Sequence, residues 1–161
     1  MGPRGCGPFL CEWVVMNRVA IVALVSAWAI GVSYSGVGAQ EKTTRSIWDG
    51  VYTEEQAKRG EEQYAKVCSS CHAETLQGDG FASPLTGTAF MSSWDGLTVG
   101  DLFERARISM PPDKPEGVGR DAKVDIVAYI LKFNQFPVGK TELERETEKM
   151  KQIKFEATKP K

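Results

Sequence analysis

Apolar and polar positions divide the chain into three helical stretches separated by long segments without periodicity. The first follows Thr53-Glu54-Glu55-Gln56, a capping box in which Thr53 caps the amide of Gln56 and Gln56 reaches back. It should run to about Cys68, with Gln56, Gly60, Tyr64 and Val67 spaced along it. Gly60 in mid-helix costs about 1 kcal/mol against alanine. Close backbone packing and simple tolerance account for it equally well. The second stretch, Thr98 to about Ile108, has Thr98 as its cap and Leu102, Phe103 and Ala106 as apolar positions. Ser109-Met110-Pro111-Pro112 ends it, since proline cannot continue a helix interior. The third, Asp121 to about Phe133, carries Val124, Val127, Ile130 and Leu131 at the spacing of a buried face. Pro137 and Gly139 mark its end. Residues 73–100 are rich in Gly, Ser, Thr and Asp and read as loop. Lys140 to Lys161 is highly charged and mixed in sign, with Leu143, Met150, Ile153 and Phe155 scattered through it, so it either drapes on the domain or frays. The pattern describes a small all-α domain of three main helices and long loops, in which a ligand has to fill the middle.

Residues 68–72 supply that ligand. They read Cys-Ser-Ser-Cys-His, the attachment signature of a c-type haem. Cys68 and Cys71 lie on one helical turn and can each bond a haem vinyl group through a thioether. His72 follows on the same face as Cys68 and is placed to bind the iron as proximal ligand. A bare C-x-x-C also suits a redox disulfide or half a zinc site. The other half of a zinc site is missing, because Cys6 and Cys11 are the only other cysteines and His72 is the only histidine. The expected cofactor is therefore one covalently bound haem c.

Composition changes this picture little. The chain has 161 residues, 42% hydrophobic and 25% charged, which suits one globular domain. A formal net charge of −1 offers no electrostatic footprint for nucleic acid. The N-terminus adds more. Asn17-Arg18, an apolar run from Val19 to Val32, and a small-residue stretch ending Val37-Gly38-Ala39 describe a secretory signal peptide over residues 1–39. Met16 is a plausible true start, with residues 1–15 upstream of it. The apolar run is short for a membrane span, and contact with a membrane is expected only if the segment stays uncleaved. Residues 40–52 form a lead-in, 53–138 the domain and 139–161 a charged tail. Export, to the periplasm, also suits covalent haem attachment.

The second axial position of the iron needs another residue. Bis-histidine ligation within the chain is excluded by the single histidine, which leaves the methionines of the mature chain, Met91, Met110 and Met150. Met110 is the favoured candidate, because it lies just after a helix and Pro111 and Pro112 stiffen its loop. Met91, beside Phe90 and near Trp94, reads as packing, and Met150 as a surface anchor in the tail.

The helix with Gly60 and Tyr64, then CSSCH, then Pro84-Leu85-Thr86-Gly87, then Met110-Pro111-Pro112, then a helix with Tyr129-Ile130-Leu131 together resemble a class I monohaem cytochrome c. The resemblance covers about residues 53–136. It implies that the first and last helices cross at Gly60 against Tyr129. It implies that the Pro84 carbonyl accepts a hydrogen bond from His72, and that Trp94 lies near the haem propionates. Arg107 is a further propionate candidate, against the plainer reading of a solvated arginine. The stretches from Ser83 to Pro112 and from Val127 to Leu143 are similar to bacterial periplasmic cytochromes found beside, or fused to, quinoprotein dehydrogenases.

The function these readings imply is a periplasmic one-electron carrier with a His72/Met110-ligated haem, not an enzyme. It would pass electrons from a dehydrogenase to an oxidase or another cytochrome. Its rivals are a haem protein with an open iron site, peroxidase-like or gas-sensing, a dithiol oxidoreductase using Cys68 and Cys71, and an electron-transfer subunit bound to a quinoprotein dehydrogenase.

Overall fold

The computed structural model describes residues 45–161. The signal peptide, the Met16 start, Cys6, Cys11 and the beginning of the lead-in lie outside the described residues. From Arg45 onward the chain forms strand β1 (Arg45–Ser46), a 3-10 turn (Ile47–Asp49), helix α1 (Glu54–Val67), helix α2 (Ser69–His72) and helix α3 (Gly87–Trp94). Helix α4 (Val99–Ser109), a second 3-10 turn (Pro115–Gly117), helix α5 (Arg120–Phe133), helix α6 (Thr147–Met150) and strand β2 (Ile153–Lys154) follow. The fold is all-α apart from the two short strands, and no helix among the described residues is long and apolar enough to cross a membrane.

Helices α1 and α4 start where their threonines dictate. Thr53 Oγ1 accepts from the Gln56 amide at 3.2 Å, and Glu54 and Glu55 complement the positive end of the helix dipole. Thr98 and Asp101 form a complete capping box, with the Asp101 amide donating to Thr98 Oγ1 at 3.1 Å and the Thr98 amide donating to Asp101 Oδ2 at 2.9 Å. Gln56 departs from the expected box. Its side chain is buried and pairs instead with the backbone of Leu143, donating to its carbonyl at 3.1 Å and accepting from its amide at 2.6 Å. A buried amide pair satisfies all four polar atoms, whereas a capping box would leave Leu143 unpaired in the core.

Helices α1 and α5 cross at Gly60. A Cβ added there would lie 1.9 Å from the Asp125 carbonyl oxygen and 2.9 Å from Tyr129 Cβ, so only glycine allows the approach. Tyr64, one turn further on, places its ring 5.3 Å from that of Tyr129. Arg59 stitches the rim of the crossing, with Nε donating to Asp125 at 2.9 Å and a terminal nitrogen donating to Glu142 at 2.9 Å. The helix-propensity cost of Gly60 is offset by the contact it permits.

Two further expectations are corrected. Residues 73–100 are not all loop, because Gly87–Trp94 is helical. Its glycine, serines and threonine are weak helix formers, and Ser93 bonds back to the Ala89 carbonyl at 2.8 Å. The helix is held by tertiary packing, with buried Phe90 edge-on to Phe155 at 5.7 Å between ring centres. Of the two readings of the C-terminal segment, the structure shows the first, a segment draped on the domain. Leu143, Met150, Ile153 and Phe155 are all buried, so Met150 is a core residue and not a surface anchor. Strand β2 pairs in parallel with β1, Arg45 opposite Ile153 and Ser46 opposite Lys154. The chain also crosses the start of α4 so closely that a Cβ on Gly100 would come within 2.7 Å of the Lys151 amide nitrogen. The Phe155 amide donates to the Leu97 carbonyl at 2.8 Å, and Trp48 Nε1 donates to the Glu156 carbonyl at 2.9 Å.

Candidate cofactor site

Helix α1 ends at Cys68, whose carbonyl accepts from the Cys71 amide at 3.2 Å and the His72 amide at 2.9 Å. These bonds make the single turn α2, which puts both cysteines and the histidine within five residues of a core helix. The chain then leaves the turn at Ala73 with φ 59°, a left-handed value for a residue with a side chain. Tyr64 holds it there by donating its hydroxyl to the Ala73 carbonyl at 2.7 Å, and burial pushes that phenol well above its ordinary pKa. The following loop folds back on itself. The Leu85 amide donates to the Leu76 carbonyl at 2.7 Å, and the Gly78 amide donates to the His72 carbonyl at 3.0 Å. At the loop tip Asp79 accepts from the amides of Phe81 and Ala82 at 2.9 Å each, which holds its carboxyl below the usual range.

This folding brings a carbonyl to His72, but it is the Ser83 carbonyl, 2.9 Å from Nδ1, and not that of Pro84. A residue before proline is confined to extended backbone, which here turns the Ser83 carbonyl toward the imidazole, and Pro84 lines the cavity beside it. A carbonyl only accepts, so Nδ1 carries the proton and Nε2 keeps a lone pair for a metal. Such a bond also fixes the ring orientation.

Cys68, Cys71 and His72 line a cavity of about 1100 Å³. Its walls are largely apolar and include Val67, Leu85, Phe90, Leu102, Val127 and Ile130. Met110 lines the same cavity at the C-terminal end of α4, about one-third exposed. Trp94 is there too, part-buried against Phe90. Met91 packs against the core. Arg107 is exposed and paired with Glu104 at 2.7 Å, the solvated reading of that residue. The two thiols are free, and burial pushes the Cys68 thiol up to about 11.

Two contributors were not foreseen. Lys123 is only 4% exposed and lines the cavity from α5. Its signal was its register, since position 123 is in phase with Val127 and Ile130 on the apolar face. Asn134, at the end of α5, donates to the carbonyls of Leu85 and Ile130 at 2.9 Å and accepts from Thr86 at 3.0 Å. It thereby pins the loop that presents Ser83. No pattern in the sequence marks that role.

These residues fit a haem: two free thiols one turn apart, a histidine with Nε2 free, a methionine and apolar walls share a single large cavity. An all-α fold built around such a site defines a c-type cytochrome domain, whose cofactor is covalently bound haem c. Residues 55–130, just under half the chain, match the family described as cytochrome C oxidase, cbb3-type, subunit III. No curated protein and no solved structure matches the chain.

Proposed function

We propose that this chain is a periplasmic one-electron carrier whose haem iron takes His72 and Met110 as its two axial ligands. The observation that carries the reading is the cavity shared by Cys68, Cys71, His72 and Met110. When bound, the haem supplies the exchange of one electron between ferrous and ferric iron. The chain's own residues do the rest. Cys68 and Cys71 tether the group. His72 would bind through Nε2 while its Nδ1–H donates to the Ser83 carbonyl, and Met110 would fill the remaining position and keep small molecules off the metal. The apolar walls exclude water, and a thioether ligand favours the reduced state.

The features that would support the rivals are missing among the described residues. His72 is the sole histidine, so no second imidazole could serve as the distal base of a peroxidase. A dithiol oxidoreductase would need the βαβ setting of a thioredoxin-like motif, whereas the described residues are helical apart from two short strands. Donor and acceptor follow from similarity alone: a periplasmic quinoprotein dehydrogenase on one side, and an oxidase or another cytochrome on the other. The oxidase subunit named by the family match favours a second arrangement, in which the same domain works as a bound electron-transfer subunit. Export would rest on residues 1–39.

The test is a redox titration of the holoprotein with a parallel assay of peroxide turnover and cyanide binding. A single one-electron transition, with no turnover and weak cyanide binding, is expected. Rapid peroxide consumption or tight cyanide binding would make the open iron site the correct reading.

A further inference from the structure

We propose that Lys123 is a positioning residue that clamps the Met110 loop against the cofactor cavity. The inference rests on the His72/Met110 reading. Lys123 projects from the first turn of α5 into the wall of the cavity, 4% exposed, and forms no ion pair among the described residues. Its ammonium donates instead to two backbone carbonyls, Arg107 at 3.0 Å and Pro115 at 2.7 Å. Arg107 lies in the last turn of α4, where helix carbonyls have no partner within the helix. A cation there meets both the unpaired oxygen and the negative end of the helix dipole. Pro115 opens the 3-10 turn on the far side of the loop.

One ammonium therefore joins the two ends of the segment that carries Met110. Beyond Arg107, the other hydrogen bonds of that segment are local: the Ser109 hydroxyl to Arg105, the Met110 amide to Ala106, the Lys114 amide to Pro111 and the Gly117 amide to Lys114. Pro111 and Pro112 stiffen the chain but tie it to nothing. Lys123 is the hydrogen-bonding link between this loop and α5, the helix that also crosses α1 beside the Cys68–His72 turn. A buried lysine without a counter-ion is costly for the fold, because desolvation disfavours its charge. Two charge-assisted bonds to a loop that must hold one sulfur in place account for its presence.

The test compares holoprotein of the wild type, Lys123→Met, Lys123→Arg and a control, Ile153→Val, which trims a buried side chain in β2. Imidazole binding to the oxidised protein is measured, since imidazole competes with Met110 for the iron. The methionine–iron absorption band in the far red is recorded on the same samples. Lys123→Met loses both charge-assisted bonds and should bind imidazole at least about tenfold more tightly. Lys123→Arg, which keeps the charge and its donors, should recover most of the difference. Ile153→Val should lose stability without changing imidazole affinity. If Lys123→Met yields no holoprotein, Lys123→Gln replaces it with the same expected direction. An affinity equal to that of the control overturns the proposal while leaving His/Met ligation intact. A wild type without the far-red band overturns the ligation itself, and the proposal with it.

Discussion

The two sides of the cavity are built differently. On the His72 side every turn of the chain is tied to something else. Tyr64 holds Ala73, the Ser83 carbonyl holds the imidazole, Leu85 bonds to Leu76, and Asn134 holds Leu85 and Thr86. On the Met110 side the chain leaves α4 into two prolines, and among the described residues Lys123 alone ties the loop to α5 by hydrogen bonds. Under the proposed ligation by His72 and Met110, the difference corresponds to a division of labour. A ligand that must stay bound in both oxidation states needs an imidazole fixed in orientation and tautomer. A ligand that sets the potential and excludes competitors needs only to be presented, and a thioether tolerates a looser setting.

Breaking the tight side should cost most. His72→Ala is expected to lower the yield of haem-loaded protein by roughly tenfold or more, because metal ligation is part of the folding free energy. Absorbance per mole of purified chain measures it, and an unchanged yield would remove His72 from the site. Breaking the loose side should leave the cofactor attached. Met110→Leu is expected to keep both thioethers, lose the far-red band and lower the midpoint potential by on the order of 0.1 V, a fraction of the roughly 0.8 V that axial ligands span. A redox titration that found the wild-type midpoint would assign the position to another residue.

Two further changes sharpen the contrast by leaving the cavity alone. Gln56→Leu strands the buried backbone amide and carbonyl of Leu143. It should cost about 2 to 4 kcal/mol of unfolding free energy in a denaturant titration, with the reduced haem spectrum unchanged. The smallest expected effect concerns Glu104. Its carboxyl accepts from Arg107 and from Thr147 of α6, and these bonds, Arg107 first, hold its pKa down to about 2. A depressed carboxylate pKa stabilises the fold above the unfolded value, near 4.5, and that contribution drains away as pH falls toward 2. Wild type should therefore be slightly more stable than Glu104→Gln at pH 6. The gap should close on acidification, and a gap that widened would reverse the assignment.

The parts legible in the sequence were those set by local chemistry. Thr53 and Thr98 announced two helix starts, the apolar register of Val124, Val127 and Ile130 announced the last helix, and the Cys-Ser-Ser-Cys-His run pointed to haem c as the cofactor. The parts that stayed hidden depend on contacts distant in sequence. Helix α3 is a poor helix former held by Phe155, and Gln56 abandons its capping box for Leu143. Which carbonyl meets His72, that of Ser83 or Pro84, depends on how the loop folds back, and a shift of one residue in such a loop is invisible to motif reading. Lys123 was masked because a charged residue on an apolar face reads as solvated until its carbonyl partners are seen.

The measurement that bears most directly on the account is the optical spectrum of the protein, oxidised and then reduced, with the denatured intact mass of the same sample. The account predicts one covalent haem, a c-type reduced spectrum and the far-red methionine–iron band in the oxidised form. A mass without haem despite an active attachment pathway, or haem without that band, would contradict it: the first would remove the cofactor, and the second would remove Met110 from the iron.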